Sequence, residues 1–156
     1  MNETQPQDRS THPITIRRLD HVVLRARDAE ALVAFYCDVL GCTLEKQQDD
    51  LGLIQVRAGA SLIDFVTVDG PLGRNFPRAP AMDAPNMDHF CVAVASWDAD
   101  AILAHLKAHG VEPGDVSERY GADGTGPSIY LHDPEGNLVE LKGPSTTGKT
   151  TDKTAG

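Results

Sequence analysis

The sequence predicts an α+β fold made by duplicating one strand–helix–strand module, and three observations carry that reading. The stretch Leu19-Asp20-His21-Val22-Val23-Leu24 returns as Met87-Asp88-His89-Phe90-Cys91-Val92, each a short, mostly apolar strand with a histidine near its start. Each copy is followed by a helical pattern halted by glycine, 20 residues after His21 at Gly41 and 21 after His89 at Gly110. Each then reaches an apolar strand with an acid at the matching place, Asp64 within Ser61 to Val66 and Glu140 within Asn137 to Lys142. Every module therefore holds one histidine and one carboxylate.

Taken in order, residues 1–13 are poor in apolar side chains and read as a disordered tail. Ile14 to Ala26 forms the first strand. Asp28 is placed to cap a helix whose apolar face is Leu32, Val33, Phe35, Tyr36, Val39 and Leu40. Strands follow at Cys42 to Gln48, Leu53 to Ala58 and Ser61 to Val68, punctuated by Gly52 and Ala58-Gly59-Ala60. Module one thus spans 14–69. A linker over 70–86 holds Pro71, Pro77, Pro80 and Pro85, too much proline for a helix or a central strand. Module two, 87–144, opens with the echo strand and carries a helix from Asp98 to His109. Asp133-Pro134-Glu135-Gly136 then marks a turn before the last strand. Residues 145–156 read as a second tail, so one domain occupies 14–144.

The modules differ in one place. The distance from helix stop to acid is 23 residues in the first and 30 in the second. The surplus is assigned to Asp115 to Pro127, which holds Arg119, Tyr120 and three glycines. Either a loop beside a ligand or a longer surface hairpin accounts for it.

Composition narrows the function. The 156 residues are 40 % apolar with a net charge of −9, which disfavours a nucleic-acid or anionic-membrane partner. No apolar run reaches the length of a membrane span, and the first residues lack a signal peptide's apolar centre. Three cysteines without a CxxC pair suit reduced thiols, so cytoplasmic residence is expected.

A lone strand histidine is commonly a hydrogen-bonded core residue. Two of them, in register with two matched carboxylates, point to metal. A carboxylate buried among apolar neighbours must be paired or metal-bound; the alternative for Glu140 is an exposed edge position with Lys142 as its partner. Imidazole nitrogen with carboxylate oxygen suits Zn, Ni, Co, Mn or Fe, whereas calcium or magnesium wants more oxygens.

LDHVVL, AFYCDVLGC, MDHFCVAV and SIYLHDPEGNLVELKGP together resemble the vicinal oxygen chelate superfamily, the glyoxalase/bleomycin resistance/dioxygenase fold. The resemblance covers about Ile14 to Pro144 and is strongest for the glyoxalase-domain-containing, lactoylglutathione lyase-like proteins. It implies two tandem βαβββ modules forming an open barrel around a metal site, and a homodimer. It places His21, His89 and Glu140 on metal positions, and Asp64 where glyoxalase I has a longer glutamate. Arg25 falls where that enzyme has an arginine for glutathione, but the asparagine expected four residues past the acid is Val68 here.

The function these residues imply is a metal-dependent lyase or isomerase acting on a small anionic substrate with vicinal oxygens. Glu140 is the expected base, with Asp64 second, and Arg25, Arg119 and Tyr120 are the substrate contacts. An extradiol-type dioxygenase and a metal-free small-molecule binding or resistance protein are the alternatives.

Overall fold

The computed structural model describes residues 13–76 and 78–148. The first module runs β1 (His21–Ala26), α1 (Ala29–Ala34), β2 (Thr43–Gln48), β3 (Leu53–Ala58) and β4 (Ser61–Thr67). The second repeats the plan with β5 (Phe90–Ala93), α2 (Ala99–Ala108), β6 (Ser117–Gly121), β7 (Gly124–His132) and β8 (Leu138–Lys142). Their sheets have the matching strand orders β1-β4-β3-β2 and β5-β8-β7-β6. In each, the first strand runs parallel to the last and the others are antiparallel. This is the duplicated α+β module expected from the sequence.

Both helices start where an aspartate satisfies an orphan amide: Asp28 accepts from Ala31 N and Asp98 from Ala101 N, each at 3.0 Å. Both stop at a glycine in the left-handed region, Gly41 at φ 76° and Gly110 at φ 70°. The first helix is not uniform. Its last stretch, Phe35–Val39, widens into a π turn in which Leu40 N reaches Phe35 O.

Alternation in the strands sorts side chains into two layers. Leu24 and Ala26 of β1, Ile54 and Val56 of β3, and Ile63 and Phe65 of β4 turn one way and bury Leu32, Phe35 and Tyr36 of the helix against them. Ile129, Leu131, Val139 and Leu141 do the same in the second sheet, with Leu106 of α2. His21, Asp64, His89 and Glu140 lie on the opposite, inner faces.

The structure settles four points, two of which the sequence placed otherwise. The first strand begins at His21 rather than Ile14, and Ile14, Ile16 and Leu19 stay exposed. Among the described residues no strand of one sheet pairs with the other, so the sheets do not close a barrel wall; the outer edges of β1 and β5 instead flank a cavity. Of the two readings of the glycine-rich segment, the hairpin is the one observed. The segment's residues form the tight β6–β7 hairpin, Gly121 opposite Gly124, and the additional length lies largely in the extended approach to β6. Finally, the expected tails fall mostly outside the described residues, but within them Thr147–Gly148 (β9) pairs with Thr125 and Gly124 of β7.

The two modules are tied by buried polar groups. Tyr36 is fully buried and its hydroxyl donates to Asp133 Oδ2 at 2.9 Å. Asp133 also accepts from Glu135 N, Asn137 N and Asn137 Nδ2. Asn137 Oδ1 in turn accepts from Asn86, whose side chain bonds both backbone groups of Arg25. Because a bond to a charged acceptor is worth about 1.5–3 kcal/mol, Tyr36→Phe should lower stability by about that amount in urea unfolding. Asp133→Ala should cost more, since it strands several donors at once.

Candidate metal and substrate site

Each histidine is oriented by the aspartate before it. His21 Nδ1 lies 2.9 Å from Asp20 Oδ1, and His89 Nδ1 is held in the same way by Asp88. A carboxylate acceptor keeps the proton on Nδ1 and leaves Nε2 as the lone-pair nitrogen, the arrangement a metal-binding imidazole needs. Neither aspartate was read as functional from the sequence. The signal was there, because the residue before the histidine is the same in both copies.

Parallel pairing brings each histidine to its acid. His21 stands opposite Leu62, so Asp64 is its diagonal neighbour on the same face; Cys91 stands opposite Glu140, one step from His89. In the second module the approach is direct: His89 Nε2 is 3.6 Å from Glu140 Oε2 and 3.5 Å from the Tyr130 hydroxyl. The ring of Tyr130 meets that of His89 edge-on. Glu140 is 7 % exposed on an interior strand, so the edge-position alternative does not hold. In the first module Asp64 is equally buried. Gln55, directly opposite on β3, donates to its Oδ2 at 3.0 Å, and Oδ1 is buried with no hydrogen-bond partner.

Electrostatics follow from these contacts. The hydrogen bond that His21 Nδ1–H donates to Asp20 holds the His21 pKa above its usual 6.5, and the charge of Asp64 adds to the effect. Low-polarity surroundings, and after them the Glu140 carboxylate, push the Cys91 thiol up to about 11 and raise Tyr130 as well.

The structure gathers the expected residues as two pairs. Among the described residues no three His, Cys, Asp or Glu side chains converge closely enough to hold one ion. Both histidines and Cys91 instead line a cavity of about 900 Å³ between β1 and β5, walled by Leu19, Leu62 and Ile102. Arg119 faces inward with Tyr130 and Glu140, whereas Tyr120, one residue along the strand, turns to the other face and is 73 % exposed. Arg25 lies on the His21 face, but its guanidinium donates to Arg78 O and stacks 4.7 Å over Phe76.

The duplicated modules and the Asp-His and acid strands coincide with a family signature. The model of the Glyoxalase/Bleomycin resistance protein/Dioxygenase superfamily matches residues 18–141. The chain belongs to that superfamily. It is 30 % identical over 149 residues to the mitochondrial methylmalonyl-CoA epimerase of Homo sapiens, covering 89 % of this chain and 81 % of the relative. A glyoxalase domain-containing protein of Mycosarcoma maydis, RDO1, is 29 % identical over 140 residues, or 86 % and 73 % of the two chains. Among solved structures, virulence protein STM3117 of Salmonella typhimurium superimposes with a TM-score of 0.70 at 26 % identity, covering 85 % of this chain and all of that one (100 %). No helix of the described residues is long and apolar enough to cross a membrane.

The superfamily member offers a direct check on its histidine–aspartate pairing. A raised pKa in the folded state means a contribution to stability that is full below 6.5 and fades as pH rises through the folded-state value. Asp20→Asn should therefore move the His21 midpoint down toward 6.5 in an NMR titration of the metal-free chain.

Proposed function

We propose that the chain is a metal-dependent enzyme of the glyoxalase I-like, lyase or isomerase type, acting on a small anionic substrate with vicinal oxygens. The observation that carries this reading is the repeated pairing of an oriented imidazole with a buried carboxylate on the inner face of each sheet. The donor set fits a borderline divalent ion such as Zn, Ni, Co, Mn or Fe. Asp64 Oδ1 supports the fit, because a buried carboxylate oxygen without a partner is costly unless a cation satisfies it. His21, His89, Glu140 and Asp64 would hold the metal, which when bound supplies positive charge to oxygens of the substrate.

The chain's own groups supply the rest. Glu140 takes a proton from the substrate carbon and returns it to the neighbouring one, with Asp64 as the second candidate for that role. The Tyr130 hydroxyl stands beside Glu140 and His89, within reach of a substrate oxygen there. Resemblance to an epimerase supports the same class of step, a proton moved at carbon. The two pairs must come together on one ion, and we infer that a homodimer or closure across the cavity achieves it. The three free thiols suit cytoplasmic residence.

Elemental analysis of the purified protein should give close to one transition metal per protomer, lost in His21→Ala and in His89→Ala. Retention of full metal by both variants would overturn the reading. Asp64→Ala should weaken binding less than Glu140→Ala, because the aspartate is one methylene shorter than the glutamate. Since Val68 replaces the expected asparagine, kcat/KM on the methylglyoxal–glutathione hemithioacetal should stay below about 10⁴ M⁻¹s⁻¹, the lower end of ordinary enzyme efficiency.

A further inference from the structure

Opposite each acid, on the neighbouring antiparallel strand, stands a hydrogen-bond donor, and the two modules differ in which one. In the first sheet Gln55 of β3 faces Asp64; in the second Tyr130 of β7 faces Glu140. On the other side of each acid, across the parallel pairing, come Val23 of β1 and Cys91 of β5. Directly opposite residues share a face of the sheet, so each acid is the centre of a row of three. Gln55–Asp64–Val23 is one row and Tyr130–Glu140–Cys91 is the other. The duplication therefore keeps an acid at the centre and changes both of its flanks.

The flanks decide what each acid can do. A hydroxyl and a thiol, Tyr130 and Cys91, both bear on the Glu140 carboxylate. Asp64 has a different setting. The Gln55 amide donates from Nε2 to Asp64 Oδ2 at 3.0 Å, and an amide keeps its protons. Val23 offers no hydrogen-bonding side-chain group at all. Oδ1, on a residue 5 % exposed, is consequently buried with no partner among the described residues. A carboxylate oxygen in that state costs free energy unless it meets positive charge. His21, the diagonal neighbour on the same face, feels the Asp64 charge without filling that gap. Lys46 stands one strand farther out, opposite Gln55, and is exposed, so Gln55 separates that cation from the acid.

We propose that Gln55 is a positioning residue, which holds Oδ2 of Asp64 and so leaves Oδ1 as the oxygen for a metal ion shared with His21. A charge-assisted bond to one carboxylate oxygen fixes the plane of the group, as partners of metal ligands do. The assignment rests on the metal-dependent reading given above, and it narrows that reading. With Oδ2 on the amide and Oδ1 on the ion, Asp64 has no oxygen left to take a proton. Asp64 is then a ligand only, and proton transfer falls to Glu140. The two acids, placed alike by duplication, are divided in role by the residue opposite each.

Zinc affinity, measured by competition with a chromogenic chelator, tests the role in Gln55→Met, which keeps the bulk of the side chain and removes the donor. Gln55→Met should bind zinc about tenfold or more weakly than wild type. In the Asp64→Ala background the same change should shift affinity by less than about twofold, because the amide then has nothing to hold. A packing role for Gln55 gives the same loss in both backgrounds instead. Wild-type protein that takes up no zinc overturns the metal reading and this assignment together. Zinc binding that Gln55→Met leaves intact, or weakens equally in both backgrounds, overturns the assignment alone. Should Gln55→Met fail to fold, Gln55→Asn, one methylene shorter, takes its place in the same cycle. If that variant fails as well, the wild type decides by NMR. The Gln55 side-chain amide signal must move in step with the His21 ring signals as zinc is added, and a stationary Gln55 signal overturns the role.

Discussion

Tyr36 is fully buried in the π turn of the first module's helix, and its hydroxyl ends on a carboxylate of the second module. The rest of the architecture depends on that contact. Burial raises the tyrosine's pKa far beyond the physiological range, so the hydroxyl remains a donor. Its ring lies between Phe65 of the first sheet and Phe90 of the second. The acceptor, Asp133, opens the Asp-Pro-Glu-Gly-Asn turn, and the turn's other polar groups continue the network through Asn137 and Asn86 to the backbone of Arg25. Glu135 of the same turn accepts from the amides of Arg27 and Asp28 at the start of α1. A buried network of this kind is stable only if every member is satisfied, so the turn, the helix and the linker residue Asn86 constrain one another.

That constraint positions the chemistry. With β1 and β5 held on either side of one cavity, the two histidines face the same space although they lie 68 positions apart in the chain. Each arrives with its orienting aspartate and a carboxylate on the adjoining strand, and this depends only on strand pairing within a module. The pairs are therefore set locally, while their approach to each other depends on the junction. Deep strands carry the acids: both Asp64 and Glu140 sit on the parallel partner of the first strand, where both faces of the sheet are covered.

The inner face of the second sheet is the more elaborate. His89, Cys91, Glu140, Tyr130, Ser128, Lys142 and Arg119 occupy successive positions on it, whereas the first sheet offers His21, Asp64 and Gln55. Duplication supplied the common parts. The divergence lies in the approach to the second module's hairpin and in the hairpin itself, where Gly121 leaves room for the Lys142 side chain and Gly126 for the Pro144 carbonyl.

The sequence by itself determined the modules, because strand alternation, an aspartate cap and a left-handed glycine stop are local devices that act within a few residues. It also showed one histidine and one acid in each module, while the pairing of β1 with β4 and of β5 with β8 set each acid beside its histidine. Other features were legible yet unread, such as Asp20 and Asp88 beside their histidines. Only the tertiary structure decided the remainder. Tyr120 was grouped with Arg119 by adjacency, but a strand turns adjacent residues to opposite faces, and that could be applied only once the segment proved to be a strand. Lys142 looked like a partner for Glu140, yet its side chain runs across β7 toward Gly121. Whether the two metal-type pairs would merge also lay beyond sequence pattern, because their separation depends on packing between modules, to which residues as distant as Tyr36, Asn86 and Asp133 contribute.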